Sequence, residues 1–249
     1  GEHFGAIIAG DSLQRSPDGG NSFVNNLGET AGGMNVCFVA GTMIATIRGE
    51  IAIERLRPGA RLRAIGGDMV SLRWLGAQRI SHQRLIAEPK LWPIIIAPGA
   101  LGAGRPKRSL SVSPQHRILV QGPIAERMCG AAEVLVPAVA LCGLPGITQP
   151  QPANGVVYYH IMCADHQVVE ADGAFAETLY LGPMARSALG PEALREIYRL
   201  LPDLADHTTQ LNPARPLVDR GKADRMVRRY CENASSLQPA AGCLGPMAG

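Results

Sequence analysis

The chain has 249 residues, is 46% hydrophobic and carries a formal net charge of +3. It is long enough to bury a core as one large domain with appendages, and with no dense basic stripe interleaved with aromatics it excludes a nucleic-acid partner of the usual kind. No apolar run approaches the ~20 residues that a membrane-spanning helix needs.

Glycine and proline number 29 and 19 while aromatics are only 4%, and short apolar runs alternating with these turn residues argue for an all-β body. The charge is uneven: residues 1–36 hold one Arg against four acids, 37–182 hold 14 basic against 10 acidic residues, and 183–249 hold nine against seven. Six cysteines, Cys37, Cys129, Cys142, Cys163, Cys231 and Cys243, lie far apart without CxxC or zinc-ribbon spacing, which leaves the redox compartment undecided. Cys231 and Cys243 could pair across a short C-terminal loop or stay two thiols. The opening Gly1-Glu2-His3-Phe4 has neither an initiator Met nor a signal-peptide pattern, so the chain reads as trimmed and export stays open.

In chain order, residues 1–36 hold Gly19-Gly20, Asn25-Asn26, Gly32-Gly33 and Asn35 among few large apolar groups. They read as an extended arm, either a linker or a segment whose last bond is broken. From Cys37 the pattern changes to short strands. Phe38-Val39 and Met43–Thr46 lead to a turn at Arg48-Gly49-Glu50, and Ile51, Ile53 and Leu56 carry the return to Arg57-Pro58-Gly59, where Pro followed by Gly suits a type II turn. Residues 61–65 and 70–74 alternate around Gly66-Gly67-Asp68 as a hairpin. Four prolines break up residues 81–108, leaving a buried strand near Trp92–Ile96 and a loop or lid around Gly99–Pro106. Strands follow at 109–113, 117–120, 134–136, 138–141 and 156–163, then at 168–171 up to the turn signal Asp172-Gly173. Beyond Gly182 a helix begins near Pro191 and stops before Pro202, and a second covers Ala223–Tyr230 with its arginines on a solvated face. The last eleven residues read as a flexible tail.

Cys37 admits two readings. A cysteine in an apolar run is a small buried hydrophobe; one placed where a Gly/Asn-rich segment enters a β domain can attack the carbonyl carbon of Val36 and convert the peptide bond to a thioester. That attack needs a polarised amide, a protonated leaving amine and a stabilised oxyanion, and so a histidine with a hydrogen-bonding companion. His116 stands at a strand junction three residues after the Ser113 hydroxyl, as a turn residue or as that histidine. His160 and His166 bracket the last hairpin. With Cys163 their spacing invites a metal reading, but odd offsets on a strand face opposite sides and ~3.3 Å per residue separates the ends, so no metal is expected.

Taken together, Cys37-Phe-Val-Ala-Gly-Thr-Met-Ile, Gly49-Glu-Ile-Ala-Ile-Glu-Arg-Leu-Arg-Pro-Gly59, Ser113-Pro-Gln-His116 and His160 with His166-Gln-Val-Val-Glu-Ala-Asp-Gly173 resemble the Hedgehog/intein (Hint) superfamily, most closely its bacterial members outside true inteins. The resemblance covers roughly residues 35–182, and residues 215–223 look like the tail that commonly follows such domains. It implies a compact, disk-like all-β fold with pseudo-twofold symmetry and its two termini meeting near the centre, followed by short C-terminal helices. The implied division is an arm at 1–36, a Hint domain at 37–182 and a helical extension at 183–249. By the same resemblance Cys37 matches the nucleophile of an N-to-S acyl shift, His116 the histidine acting on the scissile amide nitrogen, and Ser113 a hydroxyl standing where the family has Thr. His160 falls where many inteins carry an aspartate. His166, Asp165 and Thr178 are supporting candidates.

One departure is chemical: inteins end in a His-Asn pair whose asparagine cyclises, and here Glu177 and Thr178 fall at that pair. The expectation is therefore a self-cleaving domain, single-turnover rather than a turnover enzyme, whose substrate is its own N-terminal segment. Water or an amine would resolve the thioester without full splicing, cofactor or metal, and the protein would be bacterial, with the secreted or cell-surface location left open. The competing expectation is an inactive Hint fold kept as a structural or interaction module. A binding domain with incidental cysteines would require Cys37 and His116 to lie far apart.

Overall fold

The computed structural model describes residues 25–26, 36–182, 185–186, 189–205, 212–233 and 235–238. The expected arm is therefore described only at 25–26 and 36, while the expected tail from 239 and any pairing of Cys243 lie outside the described residues. In chain order the elements are β1 (Asn25–Asn26), β2 (Phe38–Val39), β3 (Met43–Thr46), β4 (Gly49–Ala52), β5 (Arg61–Arg63) and β6 (Met69–Ile80). Next come α1 (His82–Ala87), β7 (Ile94–Ile96), β8 (Leu110–Val112), β9 (Arg117–Gln121), α2 (Pro123–Cys129), β10 (Glu133–Pro137) and β11 (Ile147–Thr148). The series closes with β12 (Val156–Cys163), β13 (Val168–Ala171), β14 (Ala174–Glu177), α3 (Pro191–Leu200) and α4 (Arg220–Asn233). The strands join in one sheet in the order β10-β9-β14-β13-β3-β5-β6-β12-β2-β8-β7-β11, with β4 on β3 and β1 on β6. This is the all-β body with short C-terminal helices that the sequence predicts.

The turn chemistry behaves as the sequence dictates. Gly59 takes φ +92° and Ala60 N–H donates to Arg57 O at 3.0 Å, closing the Pro58-Gly59 turn. Asp172 and Gly173 both have positive φ, the geometry of a two-residue hairpin turn, and the hairpin they close pairs β13 with β14 from Ala171↔Ala174 outward. Asp172 is held in that costly conformation by its carboxylate, which accepts from Met43 N at 3.3 Å and Arg108 Nε at 3.1 Å.

One segment differs from expectation, and a second, expected as a loop or lid, is a loop. Residues 138–143 form a 3-10 turn rather than a strand. The chain leaves the ladder because Ala138 N–H donates to His116 O at 2.8 Å and Val139 N–H to Pro114 O at 3.0 Å, so this segment folds under the Ser113–His116 turn and fixes it. The segment 99–106 is no lid: Gly99 N–H donates to Pro106 O at 2.9 Å, Leu101 N–H to Arg105 O at 2.8 Å, and Leu101 is fully buried. The helices α1 and α2 were not apparent from periodicity because each is under two turns long, although Ser81 caps α1 through Arg84 N and Gly130 ends α2 in the left-handed conformation.

The main core joins both halves of the sheet to α4, whose Ala223, Met226, Val227 and Tyr230 are buried in it. After α4 the chain returns to the sheet. Leu237 N–H donates to Leu101 O at 2.9 Å and Leu237 O accepts from Gln121 N at 2.8 Å. The Gln238 amide then bridges β9 and β14: its oxygen accepts from Phe175 N at 2.9 Å, and its nitrogen donates to Leu119 O at 3.1 Å and Phe175 O at 2.9 Å. Among the described residues no helix is long and apolar enough to cross a membrane. Removing the Gln238 carboxamide strands three buried backbone groups, each costing about 1–3 kcal/mol. Gln238→Ala should therefore lower the urea midpoint by the equivalent of at least ~2 kcal/mol with an unchanged m-value, and Gln238→Glu, which sets a buried carboxylate oxygen against the Leu119 and Phe175 carbonyls, should cost at least as much.

Candidate functional site

The strand after Cys37 is short but paired on both sides. Phe38 pairs with Val112 of β8, while Phe38 and Val39 pair with Tyr159 and Tyr158 of β12. Gly41, at φ +87°, allows the tight exit from β2, which Thr42 closes by donating Oγ1 to Val39 O at 2.7 Å. Since β8 runs directly into Ser113 and β12 carries His160, this pairing brings residues more than seventy positions apart to the one peptide bond between Val36 and Cys37.

Each polar atom of that bond has a partner from a different strand. The Val36 carbonyl oxygen lies 2.9 Å from His160 Nδ1. A carbonyl can only accept, so Nδ1 carries the imidazole proton and Nε2 is bare. Cys37 Sγ stands against this ring, 3.5 Å from Nε2 and 3.6 Å from Nδ1, within reach of a thiol hydrogen bond to the bare nitrogen. On the amine side, Cys37 N–H donates to Ser113 Oγ at 3.0 Å, and Ser113 N–H donates back to Cys37 O at 2.9 Å. The Ser113–His116 turn, closed by His116 N–H to Ser113 O at 3.0 Å, sets the His116 ring edge-on against Phe38 at 4.3 Å between centroids. Neither His116 ring nitrogen has a hydrogen-bond partner among the described residues.

Burial sets the electrostatics. Cys37 is 3% exposed and packs with Ile80, Leu85, Leu91 and Tyr158, and this desolvation pushes its thiol far above the ordinary value, only partly offset by the Ser113 hydroxyl. His160 is pushed down to about 4 by burial, opposed by the Val36 backbone. His116 is pushed down to about 3 by burial, which outweighs the favourable backbone at Cys37 and Glu177. At neutral pH the thiol and both rings are uncharged, as a dry site requires.

The remaining sequence candidates lie elsewhere. His166 Nδ1 accepts from Ala214 N at 3.0 Å, and its Nε2 stands 3.2 Å from Glu177 Oε2. Thr178 is buried but its hydroxyl accepts from Gln167 N at 3.0 Å. Asp165 is exposed in the turn after β12. Cys163 is buried in the main core, and among the described residues no group of three or more His, Cys, Asp or Glu is arranged to hold a metal ion.

Three participants escaped sequence reasoning. Trp74 stacks on His160 with centroids 6.3 Å apart and planes at 27°. It reaches the ring by lying across Gly76, where an added Cβ would come within 2.2 Å of the indole; a glycine interrupting the apolar run of β6 was the available signal. Glu177, 1% exposed, accepts from Arg117 N at 2.9 Å and so clamps the peptide after His116. Burial raises its carboxyl above the ordinary range against the opposing pull of His166. Tyr158 donates its hydroxyl to Leu91 O at 2.8 Å and walls the thiol.

No curated protein matches the chain. Among solved structures it is similar to a bacterial intein-like domain from Clostridium thermocellum, at 14% identity over 58% of this chain and 98% of that one with a TM-score of 0.38. It is also similar to a DnaB intein from Synechocystis sp. PCC 6803, at 11% identity over 58% and 99% with a TM-score of 0.35. Residues 36–183 match the Hint domain family. On that match, which spans more than half of the chain, the protein belongs to the Hint domain family.

Proposed function

We propose that the protein cleaves its own chain between Val36 and Cys37 by an N-to-S acyl shift, freeing the segment 1–36 from a Hint domain at 37–182 and its extension at 183–249. The observation that carries this reading is that one imidazole touches both reacting groups: His160 Nδ1–H holds the Val36 oxygen at 2.9 Å while the Cys37 thiol lies against the same ring, 3.5 Å from the bare Nε2 and 3.6 Å from Nδ1. Sγ gives its proton to Nε2 as it attacks the Val36 carbonyl carbon, closing a five-membered ring. The oxyanion so formed stays on the Nδ1–H donor, the kind of contact worth roughly 2.7–4 kcal/mol in a dry site. The C–N bond then breaks, and the nitrogen takes up one proton, so that Sγ has lost a proton, the amine has gained it and a C–S bond replaces a C–N bond. Ser113 Oγ, already on that N–H, orients the departing nitrogen, and the proton this nitrogen takes up is the one Sγ gave to Nε2; the neutral His116 stands beside it as the group placed to assist that transfer.

Water or an amine then attacks the thioester, releasing the Val36 acyl group and regenerating the thiol. Splicing does not follow, because cyclisation requires a side-chain carboxamide attacking its own carbonyl, and neither Glu177 nor Thr178 has one. Both are engaged otherwise, Glu177 with Arg117 N and Thr178 with Gln167 N.

Intact mass followed over time, with and without hydroxylamine, should show loss of residues 1–36 that the nucleophile accelerates. Cys37→Ala should abolish it, and His160→Ala and His116→Ala should slow it by roughly 100-fold or more. A mass that stays whole under every condition would instead establish the inactive structural module.

The acyl shift should also have an unusual pH profile. Because burial depresses His160 to about 4, its bare Nε2 persists on acidification, so the rate of thioester formation should hold level from pH 8 to about 5 and fall only as pH drops through about 4. Loss of rate near pH 6.5, the ordinary histidine value, would show that the working base is solvated and not this ring.

A further inference from the structure

Val36 does not belong to the main core. It packs against a separate apolar cluster built from Trp74 of β6, Met162 of β12, Leu181 beyond β14, and Ala193 and Ile197 of α3. Thus the residue on the acyl side of the candidate bond packs against a cluster to which a helix following the Hint body in sequence contributes. The same helix reaches the reacting groups, because Trp74 Nε1–H donates to Glu196 Oε2 at 2.9 Å while the indole stacks on His160. Ala193 and Ile197 are fully buried and stand four residues apart on one face of α3, Glu196 being the neighbour that reaches the indole. An apolar wall, a flat aromatic floor and a single anchoring carboxylate describe a side-chain pocket, and its floor is also the surface that orients the imidazole.

We propose that α3 and Trp74 form the specificity pocket for the residue preceding Cys37, restricting the self-cleavage substrate to a chain ending in a medium-sized aliphatic residue. The proposal rests on the self-cleavage reading. A valine side chain fills the pocket at a gain of roughly 25 cal/mol per Å² of apolar surface covered. A carboxylate in its place would lose hydration against this apolar cluster, and the guanidinium that borders it, Arg186, is already engaged by Leu181 O and the Tyr198 hydroxyl. A larger ring would push on Trp74, and through it on His160, misplacing the donor on the scissile carbonyl.

The test uses the full chain in two forms. In the uncleavable Cys37→Ala background, Val36→Asp should lower the thermal midpoint by at least ~2 °C, while Val36→Ile leaves it unchanged. With Cys37 intact, hydroxylamine release of the N-terminal fragment should run near the parent rate for Val36→Ile and at least ~tenfold slower for Val36→Asp and Val36→Phe. Ile197→Ala should restore Val36→Phe, which needs room, and not Val36→Asp, which needs solvation. That pattern would establish the pocket. A Val36→Asp midpoint equal to its parent would overturn it, whatever happens to cleavage. Equal release rates for every Val36 variant, with Cys37→Ala still inert, would overturn selection and leave the acyl shift standing. Release from no variant, the parent included, would sink the self-cleavage reading and the selection with it.

Discussion

The hydrogen bond from His160 Nδ1 to the Val36 oxygen is the constraint on which the rest of the site depends. It fixes the tautomer, the tautomer leaves Nε2 bare, and in the proposed reaction the bare nitrogen is the base for a thiol that is otherwise merely buried. None of this is a local property of the residues around Cys37. It follows from sheet order: β12 runs beside β2 on one edge and β8 on the other, so the ladder that satisfies the backbone of Phe38 and Val39 also delivers an imidazole to the carbonyl and a hydroxyl to the amide nitrogen. The backbone hydrogen bonds at the end of a two-residue strand thereby set the geometry around the Val36–Cys37 bond.

The same enclosure sets the energetics. Leaving a buried polar group unpaired costs about 1–3 kcal/mol, and an isolated charge far more, so a thiolate–imidazolium pair is not a resting state here. The neutral pair is the form that fits a site walled by Ile80, Leu85, Leu91 and Tyr158, so in the proposed acyl shift the proton moves as the C–S bond forms. A solvated cysteine would be a better thiolate and a worse participant, because water would compete for both His160 nitrogens and for the oxyanion.

Much of this was legible in sequence, and what was not has a physical reason. Period-two alternation and Gly-containing turns located most strands, and Asp172-Gly173 gave its hairpin because a positive φ at both positions is rarely tolerated elsewhere. Cys37 and His116 stood out as reactive residue types at strand junctions, whereas Ser113 and His160 drew their roles from the resemblance to the Hint superfamily. The misreadings occur where tertiary hydrogen bonds outvote pattern. Residues 138–143 look like a strand until the carbonyls of Pro114 and His116 capture their amides. Trp74 reads as core because no sequence rule announces that an indole will fold across Gly76 onto a histidine eighty-six positions later. Glu177 was visible only as a missing asparagine partner, although its carboxylate holds the peptide that follows His116.

Two lines of contact tie the residues after β14 to the two sides of the Val36–Cys37 bond. On the acyl side, Glu196 of α3 holds Trp74, which lies on His160. On the amine side, Ala214 N–H is accepted by His166, whose other nitrogen stands beside Glu177, which in turn accepts Arg117 N–H next to His116. Both lines pass through buried groups, and both originate in chain that a reading by motif alone would set aside as an extension. A Hint body that kept its own strands but lost residues 191–238 would retain Cys37, Ser113, His116 and His160 in sequence while losing the supports that hold both histidines. The extension is therefore better understood as the outer half of the site than as a separate module.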